Sequence, residues 1–187
     1  LDQTDFAAEM AQIRSINPEV VFQFHPGGLG IAFLRQYQQA GLLGQIPMVL
    51  SEPSTDAVVL NAVGDAAIGI VATAHWNRDF DNAANHAFVE AWDAKYGRPI
   101  TYYASQGYDT ALLIASALEK TGGDGSGDAM IEAMKSLSWE SPRGPIQIDP
   151  ETRDIIQNIY MRKVERVDGQ LYNMEFETYE AVKDPAH

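Results

Sequence analysis

Three side chains with metal-binding or proton-transfer chemistry, His25, Glu52 and His75, each follow a short apolar run that predicts a β-strand. Two imidazoles and one carboxylate form a ligand set that transition metals accept in enzymes. The chain has no His-x-His or His-x-x-x-His pair, and no spacing supplies a nucleophile held by a base and a third group. We therefore interpret the histidines as loop residues lining a cleft, and a metal-dependent enzyme built on the three residues is the alternative.

Other chemical motifs fail at single positions. Gly28 and Gly30 follow a predicted strand as in a dinucleotide-binding loop, but Phe33 replaces the third glycine. Residues 124–128 resemble a calcium-binding loop, but Ala129 stands where that loop needs glycine. No phosphate-binding Gly-Lys-Ser/Thr motif occurs. The sequence therefore predicts no enzyme activity, no cofactor and no metal.

The charge balance excludes one class of partner. The 187 residues include 26 acidic and 13 basic side chains, for a formal net charge of −13. Nucleic acid is an unfavourable partner for such a chain, because binding to the phosphate backbone requires Lys and Arg. The chain has no cysteine and no apolar run as long as a membrane span. It begins at Leu1, and its first residues show no signal-peptide pattern. We expect it to be a piece of a longer protein.

Helical and strand patterns alternate along the chain, which predicts an α/β fold with an open, mainly parallel sheet flanked by helices. Thr4 is the predicted N-cap of the first helix, and Asn82 or Asn85 that of the fourth. A turn over 167–170 predicts a C-terminal β-hairpin. The predicted helices are 5–16, 29–40, 56–63, 82–96, 104–120 and 127–137, and the predicted strands are 20–24 (buried), 47–50, 68–73, 146–148, 156–164 and 172–179.

Candidate ligand-binding residues come directly after the first three predicted strands. His25, the pair 51–52 and the segment 73–76 share this position, and open α/β sheets bind ligands outside the carboxyl ends of their strands. Trp76 and Tyr108 are aromatic side chains able to wall a small apolar ligand. For Trp76 a place in the core is the alternative, and for Glu52 a solvated turn.

Beyond these patterns, the chain resembles a known family in a series of segments that follow one another in order. It is similar to the second lobe of type I periplasmic solute-binding proteins, the leucine/isoleucine/valine-binding family of ABC importer receptors. The resemblance spans nearly all 187 residues. The matching segments are 5–13, 17–22, 64–71, 75–77, 88–89, 95–98, 106–111 and 141–145.

The resemblance implies a division of the chain between two lobes. Family members are about twice as long and carry a first lobe that is missing here. Residues 1–103 and 142–187 would then form the second ligand-binding lobe, and the helices of 104–141 would pack on the missing lobe. Without that lobe, these helices would expose an apolar side, which self-association or a co-purified fragment would cover.

The resemblance also implies a function: capture of a small ligand between lobes in the periplasm and its delivery to the permease of an ABC importer. Glu52 matches the acidic residue that receives the ammonium group of amino acids, whereas 75–76 and 106–108 look more like members that bind aromatic carboxylates. The ligand is thus either a hydrophobic amino acid, such as a branched-chain one, or an aromatic acid. A ligand-sensing domain of a signalling receptor is the alternative. The predicted ligand-binding residues are His25, Gly27, Ser51, Glu52, His75, Trp76 and Tyr108.

Overall fold

The chain folds into two compact units. The computed structural model describes residues 3–52, 54–135 and 137–185. Unit 1 comprises the described residues up to Ala74 together with Tyr160–Glu177, and unit 2 comprises His75–Ile159 together with the described residues from Thr178 onward. Within the described residues, no helix combines the length and the apolar character that crossing a membrane requires.

Helices and strands alternate in unit 1, whereas helices precede strands in unit 2. Two long strands, β6 (Ile155–Val167) and β7 (Gln170–Val182), contribute to both units. The other elements of unit 1 are α1 (Ala7–Ile16), β1 (Val21–Gln23), α2 (Gly27–Gln39), β2 (Met48–Ser51), α3 (Ala57–Val63), a 3₁₀ turn (Gly64–Ala67) and β3 (Val71–Ala74). Those of unit 2 are α4 (Ala83–Lys95), α5 (Tyr102–Lys120), α6 (Gly127–Met134), β4 (Ser138–Ser141) and β5 (Gly144–Ile148).

The sheet of unit 1 confirms the predicted fold class. Strands β1, β2 and β3 run parallel in that order, each joined to the next through a helix. Strand β6 joins β3 antiparallel, and β7 pairs with β6 as the predicted C-terminal hairpin. Asp168 and Gly169, with φ angles of 49° and 82°, form its turn, as expected of an Asp-Gly pair in a two-residue hairpin. In unit 2, β4, β5 and β6 form an antiparallel ladder.

The core of unit 1 lies between the helices and one face of the sheet, and β1 corrects a prediction. The strand over 20–24 was expected to be buried, but Val20, Phe22 and Phe24 are 50%, 68% and 56% exposed. Because side chains alternate along a strand, Gln23 points to the covered side and is only 2% exposed. The apolar run predicted the strand, but not which of its faces a helix covers.

Several predicted boundaries were wrong where local signals misled. Phe6, not Thr4, is the N-cap of α1, and no side chain caps this helix. Helix α2 begins at Gly27, two residues before its predicted start, and β3 begins at Val71 instead of 68. Strand β4 was not predicted, because its four residues lack an apolar alternation. Asn82 caps α4 as predicted, accepting a hydrogen bond from the Asn85 amide at 2.7 Å.

Candidate functional site

The loops after β1 and β2 are tied together in unit 1, and four of the predicted site residues lie in or beside them: His25, Gly27, Ser51 and Glu52. Ser54 donates its hydroxyl hydrogen to the carbonyl oxygen of His25 at 3.1 Å. The imidazole Nδ1 of His25 lies 3.1 Å from Nε2 of the buried Gln23. Ser51 ends β2, and its hydroxyl donates to the carbonyl of Glu52 at 2.9 Å. The structure therefore brings the segments of His25 and Glu52 to the same carboxyl edge.

Two glycines set the path of the chain into α2. Gly27, a predicted site residue, is the first residue of the helix and has a φ of 60°, in the left-handed region that favours glycine. A Cβ on Gly30 would overlap the carbonyl oxygen of His25. Gly30, one of the two glycines that suggested a dinucleotide loop in the sequence, thus has a packing role, which is to let α2 approach the loop after β1.

Glu52 is a buried carboxylate in an ion pair, so the alternative of a solvated turn residue is wrong. Its side chain is 5% exposed, and its Oε2 lies 3.4 Å from Nη2 of Arg162, which is 1% exposed. Burial raises the pKa of Glu52 to about 7, an effect that the charge of Asp56 reinforces and that of Arg162 opposes. Burial also lowers the pKa of Arg162 from its ordinary value.

The sheet register explains how Arg162 reaches a residue so distant in sequence. On β6, Arg162 is paired with Ala72 of β3, and Ala72 in turn is paired with Leu50 of β2. Glu52 follows two residues after Leu50, and its amide donates to the Thr73 carbonyl at 2.9 Å. Since Ala72 is small and fully buried, the long arginine side chain can extend across β3 toward the carboxylate. Sequence reasoning missed Arg162, because the antiparallel insertion of β6 beside β3 leaves no local pattern.

In unit 2, His75 and Trp76 lie at the end of β3 and pack against helices. The indole of Trp76 is 4% exposed and donates its Nε1 hydrogen to Oδ1 of Asn85 at 2.8 Å. Trp76 thus occupies the core position considered as an alternative, and its contact with a ligand stays a prediction. The ring of His75 lies 5.5 Å from that of Tyr102, and its Nε2 is 3.4 Å from Nε2 of Gln106.

Tyr108, the last predicted site residue, lines a shallow aromatic groove between α4 and α5. Its side chain is 42% exposed, and its ring lies 5.0 Å from that of Phe88. The groove has a volume of about 330 Å³ and includes Trp92 and Tyr96. This surface suits an apolar contact, and nothing in it identifies a ligand, so the role of Tyr108 also stays a prediction.

A second buried ion pair, in unit 2, joins two of the segments that carried the family resemblance. Asp109 accepts hydrogen bonds from Nε of Arg143 at 2.7 Å, from the Ser141 hydroxyl at 2.8 Å and from the Trp139 indole at 3.0 Å. Arg143 in turn donates to Oε1 of Gln157 at 2.9 Å. Every group in this network has a partner, which indicates a structural role: it fixes α5 to the antiparallel strands.

The three-residue metal site considered from the sequence is wrong. In the parts of the chain that the structure describes, no three or more His, Asp or Glu side chains are grouped so that they could hold a metal ion. The carboxylate of Glu52, which would have been the charged ligand, is instead paired with Arg162.

Comparison with known proteins identifies the family. A family model described as a periplasmic binding protein matches residues 1–170. The chain is 35% identical, over 190 aligned positions, to the Leu/Ile/Val-binding protein homolog 6 of Brucella melitensis. That alignment covers 99% of this chain and 49% of the relative, so the chain spans about half the length of the curated relatives it matches.

Solved structures agree with the fold. A solute-binding protein of an ABC transporter from Rhodopseudomonas palustris BisB5, in complex with 3,4-dihydroxybenzoic acid, is 45% identical with a TM-score of 0.89, covering 97% of this chain and 50% of that chain. A second, from Rhodopseudomonas palustris HaA2 in complex with p-hydroxybenzoic acid, is 36% identical with a TM-score of 0.92, covering 99% of this chain and 51% of that chain. The relatives are solute-binding proteins and not enzymes. With its α/β fold and a family match over most of its length, the chain belongs to the periplasmic binding protein family.

Proposed function

We propose that the complete protein is the solute-binding component of an ABC importer and captures a small aromatic carboxylate in the periplasm. Support comes from the relative that is 45% identical and holds a dihydroxybenzoic acid. We place the ligand at the carboxyl edge of the sheet in unit 1, where the loops with His25 and Glu52 meet. We also propose His75, Trp76 and Tyr108 of unit 2 as ligand-binding residues.

The observation that carries the choice of an acid over an amino acid is the ion pair of Glu52. A free carboxylate at this edge would attract an ammonium group and repel a carboxylate. With Arg162 3.4 Å away, and with a pKa raised to about 7, Glu52 presents little negative charge to a ligand. An anionic aromatic ligand therefore meets no uncompensated charge of its own sign.

The proposal extends to a first lobe outside residues 1–187. Helices α5 and α6 expose the apolar side chains Tyr103, Ile114, Leu118 and Ile131, a face suited to packing on another domain. We propose that the helices of 104–141 cover the first lobe, as the resemblance implies, and that the ligand lies between the lobes. Closure of the lobes would then present the loaded protein to the permease. Self-association through the same face is the alternative for the chain by itself.

A ligand screen on the complete protein tests the function. Thermal unfolding would be followed with benzoate, 4-hydroxybenzoate and 3,4-dihydroxybenzoate, and in parallel with leucine, valine and phenylalanine. A ligand at a hundredfold excess over its dissociation constant stabilises the folded state by about 3 kcal/mol. We expect the acids to raise the unfolding temperature. Stabilisation by the amino acids alone would replace the proposed ligand class, and no shift with either set would remove it.

A hydrophobic amino acid is the second candidate ligand, since the Brucella relative is named for leucine, isoleucine and valine. Glu52 would then have to leave Arg162 to receive the ammonium group. Isothermal titration at pH 7 separates the two candidates, because an ammonium group would lower the pKa of a partly protonated Glu52 and release a proton, which makes the heat depend on the buffer. A buffer-independent heat for 4-hydroxybenzoate, with no heat for leucine, supports the acid.

A further inference from the structure

The ion pair of Glu52 and Arg162 lies where a ligand is expected. Both side chains are buried, and Nη2 of Arg162 is 3.4 Å from Oε2 of Glu52, an oxygen that accepts no hydrogen bond among the described residues. A buried ion pair is weak evidence for stability, so the position of this pair at the carboxyl edge suggests a role in ligand selection.

We propose that Arg162 is a specificity-determining residue: held against Glu52 in a buried ion pair, it cancels the carboxylate charge, admits an anionic aromatic ligand and disfavours a cationic one. The inference rests on the proposed function and assigns the selection between ligand charges to one side chain. Arg162 is 1% exposed and so acts through Glu52 and through the field at the site, without needing contact with the ligand.

The surrounding charges make the arginine necessary. Asp56, the N-cap of α3, raises the pKa of Glu52 through its negative charge, and Glu175 of β7 also acts on Arg162. Arg162 is the one arginine or lysine that is buried in the described part of unit 1, so its removal would leave the charges of Glu52, Asp56 and Glu175 without a buried cation beside them. Such a site favours an ammonium group, and it repels a carboxylate most strongly above the pKa of Glu52.

A matched pair of probes tests the charge selection in the complete protein. 4-Hydroxybenzoate and 4-hydroxybenzylamine share the ring and the hydroxyl group and differ in the sign of the other substituent. We expect the unmodified protein to bind the acid and reject the amine at pH 8. Arg162→Gln should weaken binding of the acid at least tenfold and allow measurable binding of the amine, because the charge of Glu52 is then exposed to the ligand.

Three further measurements separate charge from structure. The double variant Glu52→Gln/Arg162→Gln has no charge left at the pair and should bind the acid within threefold of the unmodified protein. Arg162→Lys keeps the positive charge and should keep the preference for the acid. In Arg162→Gln, the pKa of Glu52 should rise further, because the arginine that lowers it is gone, so affinity for the acid should recover as the pH falls from 9 to 6 and Glu52 takes up a proton. A merely structural role of Arg162 predicts no such recovery.

The outcomes distinguish the two proposals. If the unmodified protein prefers the amine or binds neither probe, the proposed ligand class is wrong and this inference falls with it. If the unmodified protein binds the acid and Arg162→Gln binds it equally well, the inference alone is overturned. Should Arg162→Gln fail to fold, Glu52→Gln decides, because its site keeps Arg162 and should bind the acid at least threefold more tightly. An unchanged or weaker affinity in that variant contradicts the proposal.

Discussion

Within the described residues, each of the two units buries an arginine–carboxylate pair, and the two pairs differ in distance and in hydrogen bonding. Asp109 and Arg143 of unit 2 are 2.7 Å apart and are surrounded by Trp139, Ser141 and Gln157 as hydrogen-bond partners. Glu52 and Arg162 of unit 1 are 3.4 Å apart, and one carboxylate oxygen accepts no hydrogen bond within the described residues.

The difference shows what a buried charge needs. Removing two ions from water costs several kcal/mol, and their attraction offsets this cost only when additional hydrogen bonds satisfy the remaining groups. The Asp109 pair meets that condition and holds a helix on a strand ladder. In the Glu52 pair, one carboxylate oxygen accepts no hydrogen bond among the described residues, and burial raises the pKa of Glu52 to about 7. We associate the first pair with structure and the second with ligand selection.

The largest expected effect on stability comes from breaking the ion pair of Asp109 and Arg143 in unit 2. Asp109→Ala leaves Arg143, Ser141 and Trp139 without their common acceptor, and we expect the free energy of unfolding to fall by about 5 kcal/mol. Urea unfolding of the complete protein at pH 8 measures the change. Glu119→Gln, an exposed position on the same helix, is the control and should change stability by no more than about 0.5 kcal/mol. A similar small loss in Asp109→Ala contradicts the structural role.

A smaller, pH-dependent effect is expected from breaking the pair in unit 1. Arg162→Met leaves Glu52 as an uncompensated buried charge, at a cost of about 4 kcal/mol at pH 8. At pH 5 the carboxyl group is protonated and most of this cost disappears. The same urea experiment at the two pH values checks the difference. A loss that is equal at pH 5 and pH 8 would show that the packing of Arg162, not its charge, matters.

The raised pKa of Glu52 should make the stability of the protein depend on pH. This pKa rises from 4.5 to about 7 on folding, so the folded state binds more protons between these values. The stability contributed by Glu52 must therefore fall as the pH rises from 4.5 to 7, by on the order of 3 kcal/mol. The difference in unfolding free energy between the unmodified protein and Glu52→Gln should follow this curve. Glu140→Gln, at an exposed position on β4, serves as the control, and a flat difference for Glu52→Gln would falsify the assignment.

The smallest effect concerns the two helix caps beside these pairs. Asp56 caps α3 by accepting from the Val59 amide at 3.0 Å, whereas the neutral Asn82 does the same for α4. Asp56→Asn keeps the cap, so we expect a change in stability below about 0.5 kcal/mol at pH 8. Asp56→Asn also removes a charge that raises the pKa of Glu52, so the pH dependence of the unfolding free energy that Glu52 causes should move to lower pH. Asp56→Ala, which loses the cap, should cost about 1 kcal/mol.

Features with local causes were predictable from the sequence. The cap of α4 by Asn82 needs only a side-chain oxygen three residues before an amide. The Asp168–Gly169 turn needs only two residues that tolerate a positive φ. The parallel order of β1, β2 and β3 follows from the helices between them, and the family resemblance was confirmed by the match over residues 1–170.

Features that depend on distant partners were not predictable. The exposure of Phe22 depends on which face of β1 a helix covers, and an apolar run is equally compatible with both. Glu52 was visible in the sequence as a candidate, but its partner was not. Arg162 lies on a strand that pairs with β3 only after the chain has passed through His75–Ile159, so no spacing links the two residues.

The sequence by itself determined the fold class and the family, because these depend on periodicity, turn chemistry and local resemblance. Only the tertiary structure decided the charge state of the carboxyl edge of the sheet. The insertion of β6 beside β3 brings Arg162 to Glu52, and burial in the core gives their pairing its effect on the pKa of Glu52. The charge of a side chain is evident from its residue type, whereas its electrostatic environment depends on contacts with residues that are distant in sequence.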